Sequence, residues 1–378
     1  MDYIVVGCGI SGSIIARELA EKGHKVKIYD RRNHIAGNLF DYKDEYGILV
    51  QQYGPHIFHT SDEEVYQYIT KFADWQEYKL ICGAEWDGKY TPSPFNFDTI
   101  DIFFEADKAN AIKKAIKTEY PNKKTAPVVE LMNHTNESIR EFAQFLFDND
   151  YAPYTAKQWG MKAEDVNSDV LKRVPVRLNY ETGYFSDKYE MMPRTSFSEF
   201  VENILDHDNI EIVLNEDAKK HISFSENKIL WDGNIVSGKI IFTGPIDELF
   251  DCVYGELPYR SLRFEWKHSD ENSIQEAPVV AYPKAEGYTR ITEFKKLPIQ
   301  DVNGSTYAVE YPLTYKEGSK MEPYYPVSTE ESEKKVKLYK EMAGKIDNLV
   351  LCGRLADFKY YNMDQAIKNA LIILKNSL

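Results

Sequence analysis

"YIVVGCGISGSIIARELAEKGHKVKIYD", Tyr3 to Asp30, is the stretch from which the fold follows. Tyr3 to Val6 is a short apolar run and reads as a strand. Gly7-Cys8-Gly9-Ile10-Ser11-Gly12 comes next and matches G-x-G-x-x-G. From about Ser11 to Lys22, the residues Ile14, Ile15, Leu19 and Ala20 share one side of a helix. Gly23 ends it, and "KVKIYD" is a second strand. In such a unit Gly7 makes the tight turn and Gly9 lets a pyrophosphate approach the backbone. Gly12 lets helix and strand pack, and the helix N-terminus faces the phosphates. Asp30 stands 18 residues after Gly12, where an acid bonds ribose hydroxyls. The alternative is a glycine-rich turn in some other α/β fold. The order strand, turn, helix, strand, acid favours a dinucleotide site.

"RRNHIAGNLF" follows Asp30 directly. Basic residues there suit a 2′-phosphate, but a basic stretch running into a glycine turn also suits FAD. "LCGR" before the last helix favours FAD too, because a helix N-terminus stabilises negative charge on a reduced flavin ring.

Working outward, a helix is expected from Asp62 to Trp75, and a helical region from about Ile100 to Asn149, broken near Pro121 and Pro127. "GELPYRSLRFEWKH", "APVVAYP", "GYTRITEF" and "STYAVEYPL" suggest an antiparallel sheet. "FSEFVENIL", "IEIVL" and "KIIFTGP" return to the α/β unit, as do a helix from about Glu330 to Ile346, the strand "NLVLCG" and a C-terminal helix. The expected class is α/β: a Rossmann-like FAD-binding parallel sheet from residues 1–62, 196–250 and 326–378. Residues 63–150 form an inserted helical domain, and 151–195 with 251–325 an antiparallel β-sheet substrate domain.

The 378-residue chain is 43% hydrophobic and 28% charged, ordinary for a globular protein with a sizeable core. A net charge of -14 disfavours nucleic acid as a partner, and an anionic substrate would need a local arginine cluster. No run of ~18 apolar residues suggests a membrane span. The start, "DYIVVGCG", shows no signal-peptide pattern, so a cytoplasmic location is expected. Cys8, Cys82, Cys252 and Cys352 are scattered and read as reduced thiols. With 27 Tyr, 19 Phe and 5 Trp, the chain can build aromatic binding walls. In "YGPHIFHT", His56 and His59 lie three apart, which on an extended segment points them to opposite faces and weakens a metal reading. The local pattern leaves a catalytic pair and packed, hydrogen-bonded histidines both open.

"RRNHIAGN", "YGPHIFHT", "YTAKQWG", "LKRVPVR", "YFSDKY", "FTGPIDELFD", "YRSLRFE", "YTRITE", "EPYYPV" and "GRLADFKYYNMDQAI", in this order, resemble the UDP-galactopyranose mutase family from residue 1 to about 370. The resemblance implies a flavoenzyme that interconverts pyranose and furanose forms of a nucleotide-linked sugar, without net redox change but with reduced FAD. In it the flavin N5 attacks the anomeric carbon and forms a covalent sugar adduct that opens and recloses. It implies a nucleotide-sugar substrate, a homodimer, and an external reductant such as NAD(P)H. It implies cofactor contacts from Gly7, Gly9, Ser11, Gly12, Asp30, Arg31, Asn38, Arg354 and Met363. His59 would stand next to N5 with His56 beside it. Arg173 and Arg290 would follow the diphosphate charge. Tyr184, Tyr324 and Tyr360 would donate to phosphate, Tyr154 and Trp159 would flank the uracil, and Asn362 would lie near the hexose. Arg173 and Trp159 would belong to a mobile lid. No metal is implied.

The sequence departs from that pattern at Ala36, where glycine is usual, and at Leu80, where an asparagine is expected. "MMPRTSF", with Thr195 and Ser196, replaces a glycine-rich stretch, Asn362 stands for aspartate, and Asp364 for histidine. Mutases for UDP-N-acetylgalactosamine or dTDP-fucose would share every motif above. An amine-oxidase-type FAD enzyme shares the two ends of the chain, but its substrates carry no diphosphate to match the arginines. A non-catalytic flavin-binding protein would not need them either.

Overall fold

The computed structural model describes residues 2–159, 174–319 and 321–378. At its centre is a five-stranded parallel sheet. The strand order across it is Ile210–Val213, Val26–Tyr29, Tyr3–Val6, Ile240–Phe242 and Leu349–Leu351. The expected Rossmann-like sheet is therefore assembled from three separated stretches of chain. Neighbouring residues of one strand face different cores, as the two-residue period requires. Val5 and Ile241 pack with Ile14, Ile15, Phe200 and Ile367 on one side. Ile4 and Ile240 pack with Val336, Tyr339 and Ile346 on the other. A sheet covered on both faces explains the unbroken apolar runs in its strands.

The helix Ile10–Glu21 packs against the C-terminal helix Met363–Ser377 and against Phe197–Leu205. Ser196 caps this last helix, accepting the Glu199 N–H at 2.9 Å. The unusual "RTSF" thus starts a helix where the resemblance expects glycines.

The helical unit has its own core, with Ile100, Ile112, Ile116, Leu131, Phe142 and Leu146 at its centre. It breaks where Pro121 and Pro127 stand. There the two-residue strand Thr125–Ala126 pairs with Val176–Arg177. Before it, the chain differs from expectation. The helix that starts after Asp62 ends at Ile69, and Trp75–Glu77 is a strand. The Trp75 ring packs on Phe58, Phe197 and Phe200, and its strand pairs with Met191–Pro193. Tertiary packing of one large aromatic outweighs local helix propensity there.

The third unit is a seven-stranded sheet in the order Tyr325–Pro326, Tyr259–Ser269, Ser305–Thr314, Arg290–Glu293, Val279–Ala281, Cys82–Trp86 and Lys89–Ser93. It is antiparallel at every junction but one, Val279–Ala281 with Cys82–Ala84, which is parallel. Its last two strands come from the stretch expected to be helical.

Candidate functional site

The ends of the central strands open into a cavity of about 290 Å³. Its wall includes Gly7, Gly9, Ser11, Gly12, Asp30, Arg31, Asn38, Arg354, Asn362 and Met363, so every residue expected to hold the cofactor meets there. A Cβ on Gly7 would stand 2.0 Å from Thr243 Oγ1, and one on Gly12 would stand 2.0 Å from the Gly7 carbonyl oxygen. Gly9 starts the helix Ile10–Glu21 with no side-chain cap. Its first N–H groups are therefore available to an anion. Asp30 accepts the Cys8 N–H at 2.8 Å and the Arg32 N–H at 2.9 Å, tying the glycine turn to the second strand. Ala36 holds φ +69°, a left-handed conformation that normally favours glycine.

The basic pair after Asp30 converges on one carboxylate. Arg31 Nη2 lies 3.0 Å and Arg32 Nη2 2.7 Å from Glu322 Oε2. Burial pushes the Glu322 carboxyl up, but the two arginines outweigh it and hold it below the usual range. Arg32 also donates to Asn38 Oδ1 at 2.9 Å. Sequence reading chose Arg31; the structure gives Arg32 the more enclosed position of the two.

The two histidines separate. His56 lies in the cavity wall. Its Nδ1 is 2.9 Å from the Gly54 carbonyl oxygen. A carbonyl only accepts, so Nδ1 carries the proton and Nε2 keeps a lone pair. Burial, then the Arg354 and Arg290 charges, hold this imidazole down at about 4, so it is neutral at ordinary pH. His59 is not in that wall. Its Nδ1 is 2.8 Å from Asp187 Oδ2 and its ring stacks on Phe185 at 3.7 Å. The two histidines thus have different partners rather than one shared ligand.

Beside His56 lies a second group. Arg290 binds Glu310 Oε2 through Nε at 2.8 Å and Nη2 at 2.7 Å. Against burial, which works to lower it, the Glu310 carboxylate keeps Arg290 firmly charged. Tyr154, Tyr184, Tyr325 and His56 all feel the Arg290 charge. Tyr360 and Tyr325 stack at 5.6 Å, with the Arg354 guanidinium 5.0 Å from the Tyr325 ring and 5.4 Å from that of Tyr360. Arg354 therefore belongs to both the cavity and this aromatic recess.

Tyr324, the expected phosphate donor, faces the cofactor cavity, 4% exposed, and its carbonyl accepts from Arg354 at 3.3 Å. Its neighbour Tyr325 points the other way, to Arg290 and Tyr360. The two-residue strand Tyr325–Pro326 makes adjacent side chains alternate, which is the signal in the sequence that separates them. Glu310 and Glu322 are the partners of the arginines; Glu322 opens the motif "EPYYPV", but the sequence reading assigns a role to neither. Leu80 is buried in the core, and its carbonyl accepts the Tyr184 N–H at 2.7 Å. Asp364 accepts the Thr60 hydroxyl at 3.1 Å. Arg173 lies outside the described residues, as does the side chain of Trp159, whose backbone ends the helix Ala152–Trp159. The expected lid falls on the same stretch.

Chemically, the two compartments divide the work. Bare glycine backbone and a helix N-terminus suit a dinucleotide, and the recess offers fixed positive charge ringed by phenols to an anionic ligand.

Comparisons with known proteins fit this geometry. The family profile described as UDP-galactopyranose mutase matches residues 149–360. A profile for an NAD(P)-binding Rossmann-like domain matches residues 5–72. The chain is 34% identical over 373 residues to a probable UDP-galactopyranose mutase of Klebsiella pneumoniae, covering 98% of this chain and 93% of that one. It is 34% identical over 377 residues to a dTDP-fucopyranose mutase of Escherichia coli, covering 97% and 96%. A crystal structure of reduced UDP-galactopyranose mutase shares the fold with a TM-score of 0.68 at 13% identity, over 98% of this chain and 92% of that one. Among the described residues no helix is long and apolar enough to cross a membrane.

Proposed function

The chain belongs to the UDP-galactopyranose mutase family, and from that premise we propose that it interconverts UDP-galactopyranose and UDP-galactofuranose with FAD in the glycine-lined cavity. The observation that carries the reading is the meeting of two sites: Arg354 and His56 line the cavity, and both stand within the field of the Arg290 recess.

The cavity fits a flavin dinucleotide. A Cβ on Gly7 would meet Thr243 and one on Gly12 the Gly7 carbonyl oxygen, so the tight turn beside which the pyrophosphate would lie closes only with glycine at both positions. Asp30 would hold the ribose, and Arg31, Asn38, Arg354 and Met363 would complete the contacts. When bound and reduced, the flavin supplies N5 as the nucleophile for the anomeric carbon, with no net redox change. An external reductant such as NAD(P)H would prime it.

The residues of the chain do the rest. Arg290, clamped by Glu310, sets a fixed positive charge toward the diphosphate, so charge moving onto the leaving group meets a preorganised partner. Tyr184, Tyr325 and Tyr360 add phenol donors around it. Tyr154 lies along the base. His56, neutral with a free Nε2, accepts a proton from a sugar hydroxyl during ring opening or closure. His59 stays oriented by Asp187 and Phe185 behind that wall.

The test is direct. The purified protein, reduced with dithionite, is incubated with UDP-galactose and furanose formation is followed by chromatography. Conversion by reduced but not oxidised protein is expected. A yellow, folded protein that converts none of UDP-galactose, UDP-N-acetylgalactosamine and dTDP-fucose would overturn the reading. The second reading, a mutase for one of the other two sugars, is favoured by Leu80, which is packed in the core where an asparagine was expected to face the hexose. Relative rates on the three substrates decide between them.

A further inference from the structure

His56, the histidine in the cavity wall, lies outside any strand, so no sheet ladder holds its backbone. The side chain of Gln51, five residues earlier, holds it instead. The His56 N–H donates to Gln51 Oε1 at 2.6 Å, and Gln51 Nε2 donates to the His56 carbonyl at 3.0 Å. A backbone N–H only donates and a carbonyl only accepts, so the pairing also fixes which end of the amide is oxygen. Two bonds to one residue set both its position and its rotation.

Gln51 stands on firm ground. It is 1% exposed and ends the strand Leu49–Gln51, opposite Asp41. Asp41 accepts the Phe197 and Ser198 N–H groups, both at 2.8 Å, at the start of the helix Phe197–Leu205. The Gly54 N–H donates to the Gln51 carbonyl at 3.3 Å, and the Gly54 carbonyl faces His56 Nδ1. Gly54 holds φ +95°, and a Cβ there would stand 3.2 Å from the Phe264 ring. The loop is thus closed on the His56 backbone by Gln51 and on its ring by Gly54. Gln51 itself is not in the cavity wall.

We propose that Gln51 is the positioning residue for the proton acceptor: its amide sets where the free Nε2 of His56 points. This rests on the reading above, in which His56 accepts a proton from a sugar hydroxyl. Proton transfer needs hydrogen-bond reach, and a misplacement of about 1 Å costs up to about 10²-fold in rate. No cofactor or diphosphate contact of that reading runs through Gln51, so its loss should fall on kcat.

The experiment is a double-mutant cycle on the flavin-loaded, reduced protein, with whichever of the three sugar nucleotides named above it converts fastest. Gln51→Met keeps the length of the side chain and removes both bonds. It should lower kcat about 30-fold, with KM within about twofold and flavin content unchanged. In a His56→Gln background the same change should cost less than about threefold, because groups that act as a unit are not additive. A full further loss of about 30-fold in that background would overturn the inference. So would an unimpaired Gln51→Met, or a His56→Gln protein as fast as the wild type beside a slow Gln51→Met.

The pH profile gives a second readout, and it decides where His56→Gln is too slow for the cycle. Burial, then the Arg354 and Arg290 charges, hold His56 at about 4. Glu310, paired with Arg290, is the carboxylate on the Gly54 side, and the phenols of Tyr154 and Tyr325 share the Arg290 charge. The change at Gln51 removes none of these groups. A loosened His56 meets water, and its imidazole moves up toward about 6.5. Protonation abolishes the acceptor, so the acid limb of kcat/KM in Gln51→Met should lie at higher pH than in the wild type. A limb that stays in place there would overturn the inference. If Gln51→Met loses its flavin, Gln51→Glu, which keeps the acceptor and lacks the donor, takes its place in both measurements. A wild type that converts none of the three sugar nucleotides would instead overturn the parent reading.

Discussion

At the mouth of the parallel sheet Gly7, Gly9, Gly12, Gly37 and Gly353 withdraw their side chains from the wall, while in the recess beside it Arg290 is ringed by Tyr154, Tyr184 and Tyr325. The first region recognises a ligand through backbone, the second through side chains from distant stretches. A backbone site fails completely when a Cβ intrudes. A side-chain site loses function stepwise, one donor at a time.

The widest separation between the regions comes from one methyl group. Gly12→Ala puts a Cβ 2.0 Å from the Gly7 carbonyl oxygen, with no flexible side chain to give way. The expected product is a colourless protein without activity, checked by the visible spectrum after gel filtration. Arg290→Ala should do the reverse and keep the flavin. It removes the fixed charge and leaves Glu310, 4% exposed, unpaired. A loss of roughly 10³-fold in kcat/KM is expected, the scale for one preorganised charge on a leaving group. Loss of flavin from Arg290→Ala, or an active yellow Gly12→Ala, would show that the two regions are not separable.

The difference also decides what the sequence reveals. The glycine turn, Asp30 and the last helix are local patterns of a single supersecondary unit, and every expected cofactor residue lies in the cavity wall. The recess is legible only where a motif names a residue, as for Arg290 and Tyr184. Glu310 and Arg290 are 20 residues apart and meet only because the strands Arg290–Glu293 and Ser305–Thr314 pair in register. Trp75 reads as the end of a helix until Phe58, Phe197 and Phe200 draw it into a strand. His59 carries the same chemistry as His56, yet it faces Asp187 and Phe185 instead of the cavity. Such choices depend on side-chain neighbours that no local period encodes.

His56 stands where the regions touch, and its burial makes it a probe of both. Its imidazole is held at about 4, against about 6.5 in an unfolded chain. As pH falls from 6.5 toward 4 the unfolded state takes up the proton first, so stability is lost across that window. Between pH 7 and pH 5 the loss is ~2 kcal/mol. His56→Gln cannot titrate and should lose less stability on acidification than the wild type by about that amount, read by urea unfolding at the two pH values. Identical acid dependence in both proteins would mean that His56 is open to solvent and does not seal the junction.

The smallest effect tests the boundary itself, at two adjacent tyrosines. Tyr324 lies in the cofactor wall and is 4% exposed; its N–H donates to the Arg260 carbonyl at 2.8 Å and its carbonyl accepts from Arg354 at 3.3 Å. Tyr325 is stacked with Tyr360 under the Arg354 guanidinium and feels Arg290. Removing the Tyr325 hydroxyl deletes a donor to the diphosphate, the scale of one charge-assisted hydrogen bond. Tyr325→Phe should raise KM for the nucleotide sugar about fivefold to tenfold, with flavin affinity unchanged. Tyr324→Phe should leave KM within about twofold, because its ring rather than its hydroxyl forms the wall. If Tyr324→Phe has the larger effect on KM, the alternation at Tyr325–Pro326 does not divide the compartments, and the diphosphate lies on the cofactor side of that strand.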